Sequence, residues 1–400
     1  MIQTKEKDVQ DVGSLFVSTY KRGGAPMVRG SGVYLYDSND REYLDFGSGI
    51  AVNALGHAHP LLLEAIQNQA AHLIHASNLY YTAPQIEFAS RLVENSFGDK
   101  VFLCNSGTEA NEAAIKFTRK WASRISEDKY HVLSFSEGFH GRTYGALSAT
   151  AQQKFHNGFG PMPQGFHYSP FNDIESARKV LDSQEFAAII VEPLQGEGGI
   201  NSADTEFLNF LRDYADTNSV ALIFDEIQCG TGRTGTLWNY EQHGVIPDLM
   251  TVAKPIGGGL PLGAVVCRET IASTISPGDH GTTFGGNPLA CALGTQILDI
   301  VSEPVFLKRV RSSGDYLKKR LGSLQNRFPT ITSIRGEGLL LGVRFKDDPG
   351  QIVSLCKEQG LLLVKANLNT VRFMPPLIVG MDHMDKAVDI FADVLEIMKK

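Results

Sequence analysis

Val220-Ala-Leu-Ile-Phe-Asp225-Glu226 is an apolar run closed by two carboxylates, and it sets the fold class because it is one of a series. Continuous apolar runs of this length suit strands covered on both faces, as in a parallel sheet with helices above and below. Similar runs stand on either side, at Val101 to Asn105, His131 to Phe135, Ala187 to Glu192, Leu249 to Lys254 and Leu262 to Arg268. Segments of helical period separate them, so residues from about 100 to 268 read as an α/β domain on a mainly parallel sheet. Beyond the Gly-rich passage at 281 to 286 the pattern changes. Helical segments near 288 to 302 and 304 to 327 precede strands around 337 to 345, 360 to 366 and 370 to 374, and a last helix starts near 382. These form a second, smaller α+β unit. The first fifty or so residues hold only short strand-like pieces, Val33 to Tyr36 and Glu42 to Asp45, and are expected to join it. The expected organisation is an N-terminal segment over 1–55 that contributes to the small domain, a large domain over 56–300, and the rest of the small domain over 301–400.

The chain has 400 residues, 42% of them hydrophobic, enough to bury a substantial core. Acidic residues outnumber basic ones, 44 to 37, for a formal charge of −7, and there is no long basic run. Nucleic acid and anionic membrane surfaces are therefore poor first guesses as partners, and small molecules are better ones. Residues 1–10 carry no apolar stretch of a signal peptide, and nothing later approaches the ~18 apolar residues of a membrane span, so a soluble, cytoplasmic protein is expected. The five cysteines are odd in number, scattered and free of C-x-x-C spacing, which argues against a disulfide framework and a zinc site. They are expected to be reduced and mostly buried.

In open α/β sheets ligands sit at the carboxyl ends of the strands, so polar residues that end an apolar run are the informative ones. Val101 to Asn105 leads into Ser106-Gly107-Thr108-Glu109, which has the S-x-x-E spacing of a capping box and announces a helix. The free N–H groups of such a first turn can receive a phosphate, although an ordinary capped helix has the same signature. The Val220 run ends at Asp225-Glu226-Ile-Gln228. A nucleotide hydrolase could use a magnesium-holding Asp there, but its phosphate loop requires a Gly-Lys pair and the chain has none. Gly230-Thr-Gly232-Arg-Thr-Gly235 matches the dinucleotide fingerprint formally, but no clean amphipathic helix follows it. The third reading sets Asp225 against a protonated pyridine nitrogen, with Gln228 donating to a ring oxygen. Finally, Leu249 to Lys254 puts a lysine at a strand end. Burial depresses a lysine's pKa and leaves the neutral amine that attacks a carbonyl, while a lysine reaching out to solvent is the bland alternative.

Taken together, Ser106-Gly-Thr-Glu-Ala-Asn111, Phe139-His-Gly-Arg142, Val191-Glu-Pro-Leu-Gln-Gly-Glu197, Phe224-Asp-Glu-Ile-Gln228, Ala253-Lys254 and His280-Gly-Thr-Thr-Phe-Gly-Gly-Asn287 resemble the class III, or ω-amino-acid, aminotransferases. Within that family the likeness is nearest to the acetylornithine aminotransferases, and it runs from about Tyr20 to the last helix. The resemblance implies fold type I of the pyridoxal-phosphate enzymes, with a seven-stranded, mainly parallel sheet, and a homodimer whose active sites lie at the subunit boundary. It gives Lys254 the role of the lysine joined to the cofactor's aldehyde and later of proton carrier at the substrate carbon. Asp225 then faces the ring nitrogen, Gln228 the phenolic oxygen, and Phe139 the ring face. Ser106, Gly107 and Thr108 hold the phosphate, with Thr283 supplied by the partner subunit. Arg372 matches the family's carboxylate site near the reacting carbon and Arg142 the distal one. Glu197 resembles the switch that pairs with Arg372 while an ω-amine is bound and leaves it for glutamate. Thr282, Ile50 and Tyr20 complete the substrate set. Ornithine aminotransferases resemble this sequence but place a tyrosine where Ile50 stands, so N-acetylornithine is expected as donor, 2-oxoglutarate as acceptor, and arginine biosynthesis as the pathway. Ornithine, succinylornithine, GABA, an acylated lysine, or an aminomutase reaction on the same fold remain as alternatives.

Overall fold

Seven strands form the central sheet in the order Lys100–Cys104, Gly263–Cys267, Leu249–Val252, Ala221–Asp225, Phe186–Val191, His131–Phe135, Phe166–Ser169. Only Gly263–Cys267 runs antiparallel to its neighbours. This computed structural model describes residues 15–367 and 369–399; residues 1–10, expected to carry no signal peptide, lie outside the described residues. Every residue of Phe186–Val191 and Ala221–Asp225 is buried, because side chains alternate between two apolar layers. Leu222 and Phe224 join the main core with the Pro288–Val301 helix, whereas Ala221 and Ile223 pack on Ala110, Ala113 and Ala114 of the Gly107–Ala122 helix. That alanine stripe brings the helix close to the sheet, and its N-terminus to the end of the strands.

Six of these strands coincide with the apolar runs of the sequence. The seventh, Phe166–Ser169, gave no such run, because an edge strand is covered on one side only and Tyr168 faces solvent. The single strand expected over 337 to 345 is a hairpin, Ile331–Glu337 and Leu340–Phe345, turned at Gly338 with φ +51. It pairs with Thr370–Phe373 and then Val364–Ala366. A helix over Gly350–Glu358 was not anticipated; it buries only Ile352 and Cys356, too few positions for a clear period. Leu361–Leu362 leaves the second sheet and pairs in parallel with Glu42–Asp45, extending a sheet made by Met27–Ser31 and Tyr34–Asp37. The N-terminal strands are thus tied to the C-terminal region by backbone hydrogen bonds.

Gly232 and Gly235 are turn residues with φ +79 and +97, followed only by the short Tyr240–His243 helix. Arg233 between them is fully buried and donates to the Leu339 and Pro375 carbonyls, at 3.1 and 2.5 Å. This loop staples the hairpin to the large sheet and has no dinucleotide-binding geometry. All five cysteines are free and buried. Among the described residues no single helix is long and apolar enough to cross a membrane.

Candidate active site

A cavity of about 560 Å³ opens at the carboxyl ends of the central strands. Ser106, Gly107, Thr108, Phe139, Arg142, Glu197, Asp225, Gln228 and Lys254, remote from one another in sequence, all line it. Asp225 is the last residue of its strand, and Lys254 follows the next strand by two residues. Parallel pairing of Asp225 with Thr251 puts the two functional groups at the same level of the sheet.

Lys254 adopts φ +48, a left-handed conformation that lysine seldom takes, just before Pro255. Burial lowers the pKa of its amine; Asp225, Glu197 and Glu192 oppose that shift and Arg372 adds to it. Asp225 is held from three sides. Asn111 Nδ2 and His140 Nδ1 reach its Oδ2 at 2.7 and 2.8 Å, and the Ile227 amide donates to Oδ1 at 3.1 Å. Since a carboxylate only accepts, His140 carries its proton on Nδ1. Asn111 in turn accepts from Thr251 Oγ1 at 2.8 Å and donates to the His140 carbonyl at 2.6 Å. The Asp225 carboxylate therefore keeps its position without a ligand.

Beside it, Gln228 accepts from Arg372 Nη1 at 3.3 Å, while its buried Nε2 has no partner among the described residues. A Cβ at Gly196 would lie 1.5 Å from Gln228 Oε1 and would push this amide from its place. At the far end Ser106 Oγ caps the helix through the Glu109 amide at 3.3 Å. The Glu109 carboxylate closes on the Asn105 amide at 2.7 Å, one residue before the position a capping box requires. The Gly107 and Thr108 amides have no partner within the helix, and a Cβ on Gly107 would meet Ile227 Cδ1 at 2.7 Å.

Arg372, only 1% exposed, pairs with Glu197 Oε1 at 2.8 Å. Glu197 sits in the loop joining Leu194–Gln195 to Asn201–Ser202, and Arg372 stands behind it on the Thr370–Phe373 strand. Arg142 is exposed, its guanidinium over the Phe155 ring at 4.1 Å and further from Phe139 at 5.5 Å. Five expected residues do not line the cavity, Arg372 behind Glu197 among them. Thr282 accepts from Asn105 Nδ2 at 3.1 Å just outside it. Thr283 faces away beside Asn78, Tyr20 is 73% exposed, and Ile50 is 45% exposed at φ +62, two residues from Val52 in the cavity wall.

Asn111, His140 and Glu192 also belong to the site, although the sequence assigns them no role. Asn111 breaks the alanine stripe facing the sheet, which was a readable signal. Glu192 ended one of the apolar runs, as Asp225 does. It is buried, which raises its pKa, and it accepts from the Phe139 and Gly196 amides at 2.7 and 3.1 Å. It thereby ties Phe139 to the Glu197 loop.

The model of the aminotransferase class-III family matches residues 19–395. The chain is a class III aminotransferase. It is 48% identical over 381 residues to the acetylornithine aminotransferase of Caldanaerobacter subterraneus subsp. tengcongensis, covering 95% of this chain and 96% of that one. The ornithine aminotransferase of Toxoplasma gondii ME49 superposes with a TM-score of 0.94 at 30% identity, covering 99% of this chain and 96% of that one. The N-acetylornithine aminotransferase of Stenotrophomonas maltophilia K279a gives 0.85 at 34%, covering 97% and 99%. Class III aminotransferases work with pyridoxal phosphate, and this cavity fits that group. It offers a fixed carboxylate for a ring nitrogen, an unpartnered amide N–H₂ for a ring oxygen, and an open helix N-terminus for a phosphate.

Proposed function

We propose that this aminotransferase moves the δ-amino group of N-acetylornithine to 2-oxoglutarate, giving N-acetylglutamate semialdehyde and glutamate, as a cytoplasmic homodimer in arginine biosynthesis. The observation that carries the two-substrate chemistry is the pairing of buried Arg372 with half-buried Glu197, 2.8 Å apart beside the cavity; the acyl group on the donor rests on the relatives' specificity. Pyridoxal phosphate, when bound, supplies an aldehyde that carries the amino group and a ring that takes up the electrons freed at the substrate carbon. The chain supplies the rest. Lys254 Nζ holds the cofactor's aldehyde at rest and moves the proton at the reacting carbon. Asp225 keeps a proton on the ring nitrogen, Gln228 Nε2 donates to the phenolic oxygen, and Phe139 covers one ring face. Ser106, Gly107 and Thr108 hold the phosphate.

Glutamate reacts beside its α-carboxylate, and Arg372 binds that group once Glu197 withdraws. N-Acetylornithine reacts at the end remote from its carboxylate and presents methylenes to Arg372. A buried guanidinium without a counter-charge is costly, so Glu197 returns to it. Arg142, exposed over Phe155, receives the distal carboxylate in both cases. Glu197→Gln is therefore expected to raise KM for N-acetylornithine by about 10-fold, or about 1.4 kcal/mol, and to leave KM for 2-oxoglutarate unchanged or lower. Half-reaction kinetics on each substrate check this.

The dimer is supported by an apolar patch. Leu79, Tyr80, Tyr81 and Phe284 are 62 to 90% exposed, and Asn78 binds the 282–285 loop to this segment through the Thr282 and Gly285 carbonyls, both at 2.9 Å. Monomers seldom leave such surface open. Thr283 follows Thr282 in that loop, and its assignment to a second subunit's site rests on the family resemblance.

Capture of the cofactor by the apoprotein requires neutral Lys254. Because burial holds that amine below its ordinary value, the capture rate should rise with pH and level off below the ~10.4 of a free lysine. Stopped-flow absorbance across pH 6 to 10 measures it. The donor is tested by kcat/KM for N-acetylornithine, ornithine and GABA, with Ile50→Tyr alongside. N-Acetylornithine should lead by about 10-fold or more, and Ile50→Tyr should narrow its lead over ornithine; a wild type that prefers ornithine refutes the assignment.

A further inference from the structure

A second cavity, of about 520 Å³, lies on the opposite side of the Glu197 loop and is walled by Ser136, Glu137, Asn172, Gln195, Asn201 and Arg335. We propose that it binds a small polar carboxylate through Arg335, and that the occupant holds the Glu197 loop in its Arg372-paired arrangement. The second half of the statement rests on the switch role assigned to Glu197 above; the first does not.

Arg335 is half-buried and donates to Asn201 Oδ1 at 2.6 Å and to Ser333 Oγ at 3.0 Å, both neutral partners. Among the described residues no carboxylate lies within ion-pairing distance of it or of Arg344. Burial first, then the neighbouring Arg344 cation, lowers the pKa of Arg335. The nearby acids are otherwise engaged. Glu137 accepts from Asn367 Nδ2 at 2.5 Å, and Glu337 accepts from Ser202 Oγ at 2.6 Å and Asn239 Nδ2 at 2.9 Å. An arginine fork without a carboxylate, in a recess lined with amides and hydroxyls, suits a carboxylate that also carries hydrogen-bonding groups.

The link to catalysis is steric. Gln195, Asn201 and Ser202 are the two strands of the hairpin whose loop bears Glu197. A Cβ on Gly198 would lie 2.8 Å from both Gln195 Oε1 and the Glu137 carbonyl, so the residue after Glu197 is already wedged between two walls of the second cavity. Filling that cavity removes the room into which the hairpin can shift when Glu197 leaves Arg372. By linkage, whatever stabilises the paired loop weakens binding of an α-carboxylate at Arg372.

Succinamate is the probe, with its uncharged counterpart succinamide as control. Isothermal titration of borohydride-reduced holoenzyme should show saturable succinamate binding and none of succinamide. Binding should be lost in Arg335→Met, be partly kept in Arg335→Lys, which guards against a folding defect, and persist in Arg372→Met, which excludes the catalytic cavity. In turnover, saturating succinamate should raise KM for 2-oxoglutarate about 5-fold with KM for the amino donor unchanged, and not in Arg335→Met. Binding that survives Arg335→Met, or vanishes in Arg372→Met, overturns the site; binding without the KM effect overturns the coupling. Failure of the Glu197 switch itself shows separately, as an unchanged donor KM in Glu197→Gln without succinamate.

Discussion

Lys254→Ala should lower kcat of the overall transfer by about 10^4-fold, at the upper end of what a positioned acid–base group contributes. The reasoning is local. Lys254 is the lysine in the cavity wall, its backbone is fixed in a left-handed turn, and burial holds its amine below the ordinary value. The carboxylates in the wall have other partners: Asp225 is committed to three donors, Glu197 to Arg372, and Glu192 to two backbone amides. Rescue should follow the same logic, because a small amine such as methylamine can enter the space Lys254 leaves and restore part of the rate. Single-turnover kinetics with and without methylamine measure both effects.

Asp225→Asn should be the next most damaging change, costing about 10^3-fold in kcat through lost electrostatic stabilisation. An amide cannot keep a proton on a pyridine nitrogen by charge, and so cannot keep the ring electron-poor. The surroundings make matters worse. Asn111 Nδ2, His140 Nδ1 and the Ile227 amide all donate toward residue 225, and an asparagine can offer them one oxygen, its NH₂ facing the remaining donors. Leaving buried donors unsatisfied should also lower stability, by about 1 to 3 kcal/mol. Denaturant melts of the apoprotein and steady-state rates of the holoenzyme separate the two losses.

The strand-end rule picked out residues that share the cavity because burial makes polar residues conspicuous. Asp225 closes a run that is otherwise apolar, Lys254 one broken only by Thr251, and Ser106 marks a helix start whose cap is a local matter of spacing. Asn111 and His140 were harder. Their importance lies in reaching Asp225 from 114 and 85 residues away, and no spacing along the chain encodes that meeting. Arg372 and Glu197 were legible only through the family resemblance, since a buried arginine on a strand looks like any other until its partner is known. The edge strand Phe166–Ser169 and the Gly350–Glu358 helix escaped for a related reason: each buries so little that its pattern fades into that of a loop. Thr283 and Tyr20 do not line the cavity of their own chain.

Borohydride reduction of the purified holoenzyme, followed by digestion and mass mapping of the pyridoxyl-bearing peptide, tests the central assignment most directly. The label should sit on Lys254 alone, in the peptide that spans the end of the Leu249–Val252 strand, and should be absent from Lys254→Ala. A label on any other lysine, or none, would contradict the account.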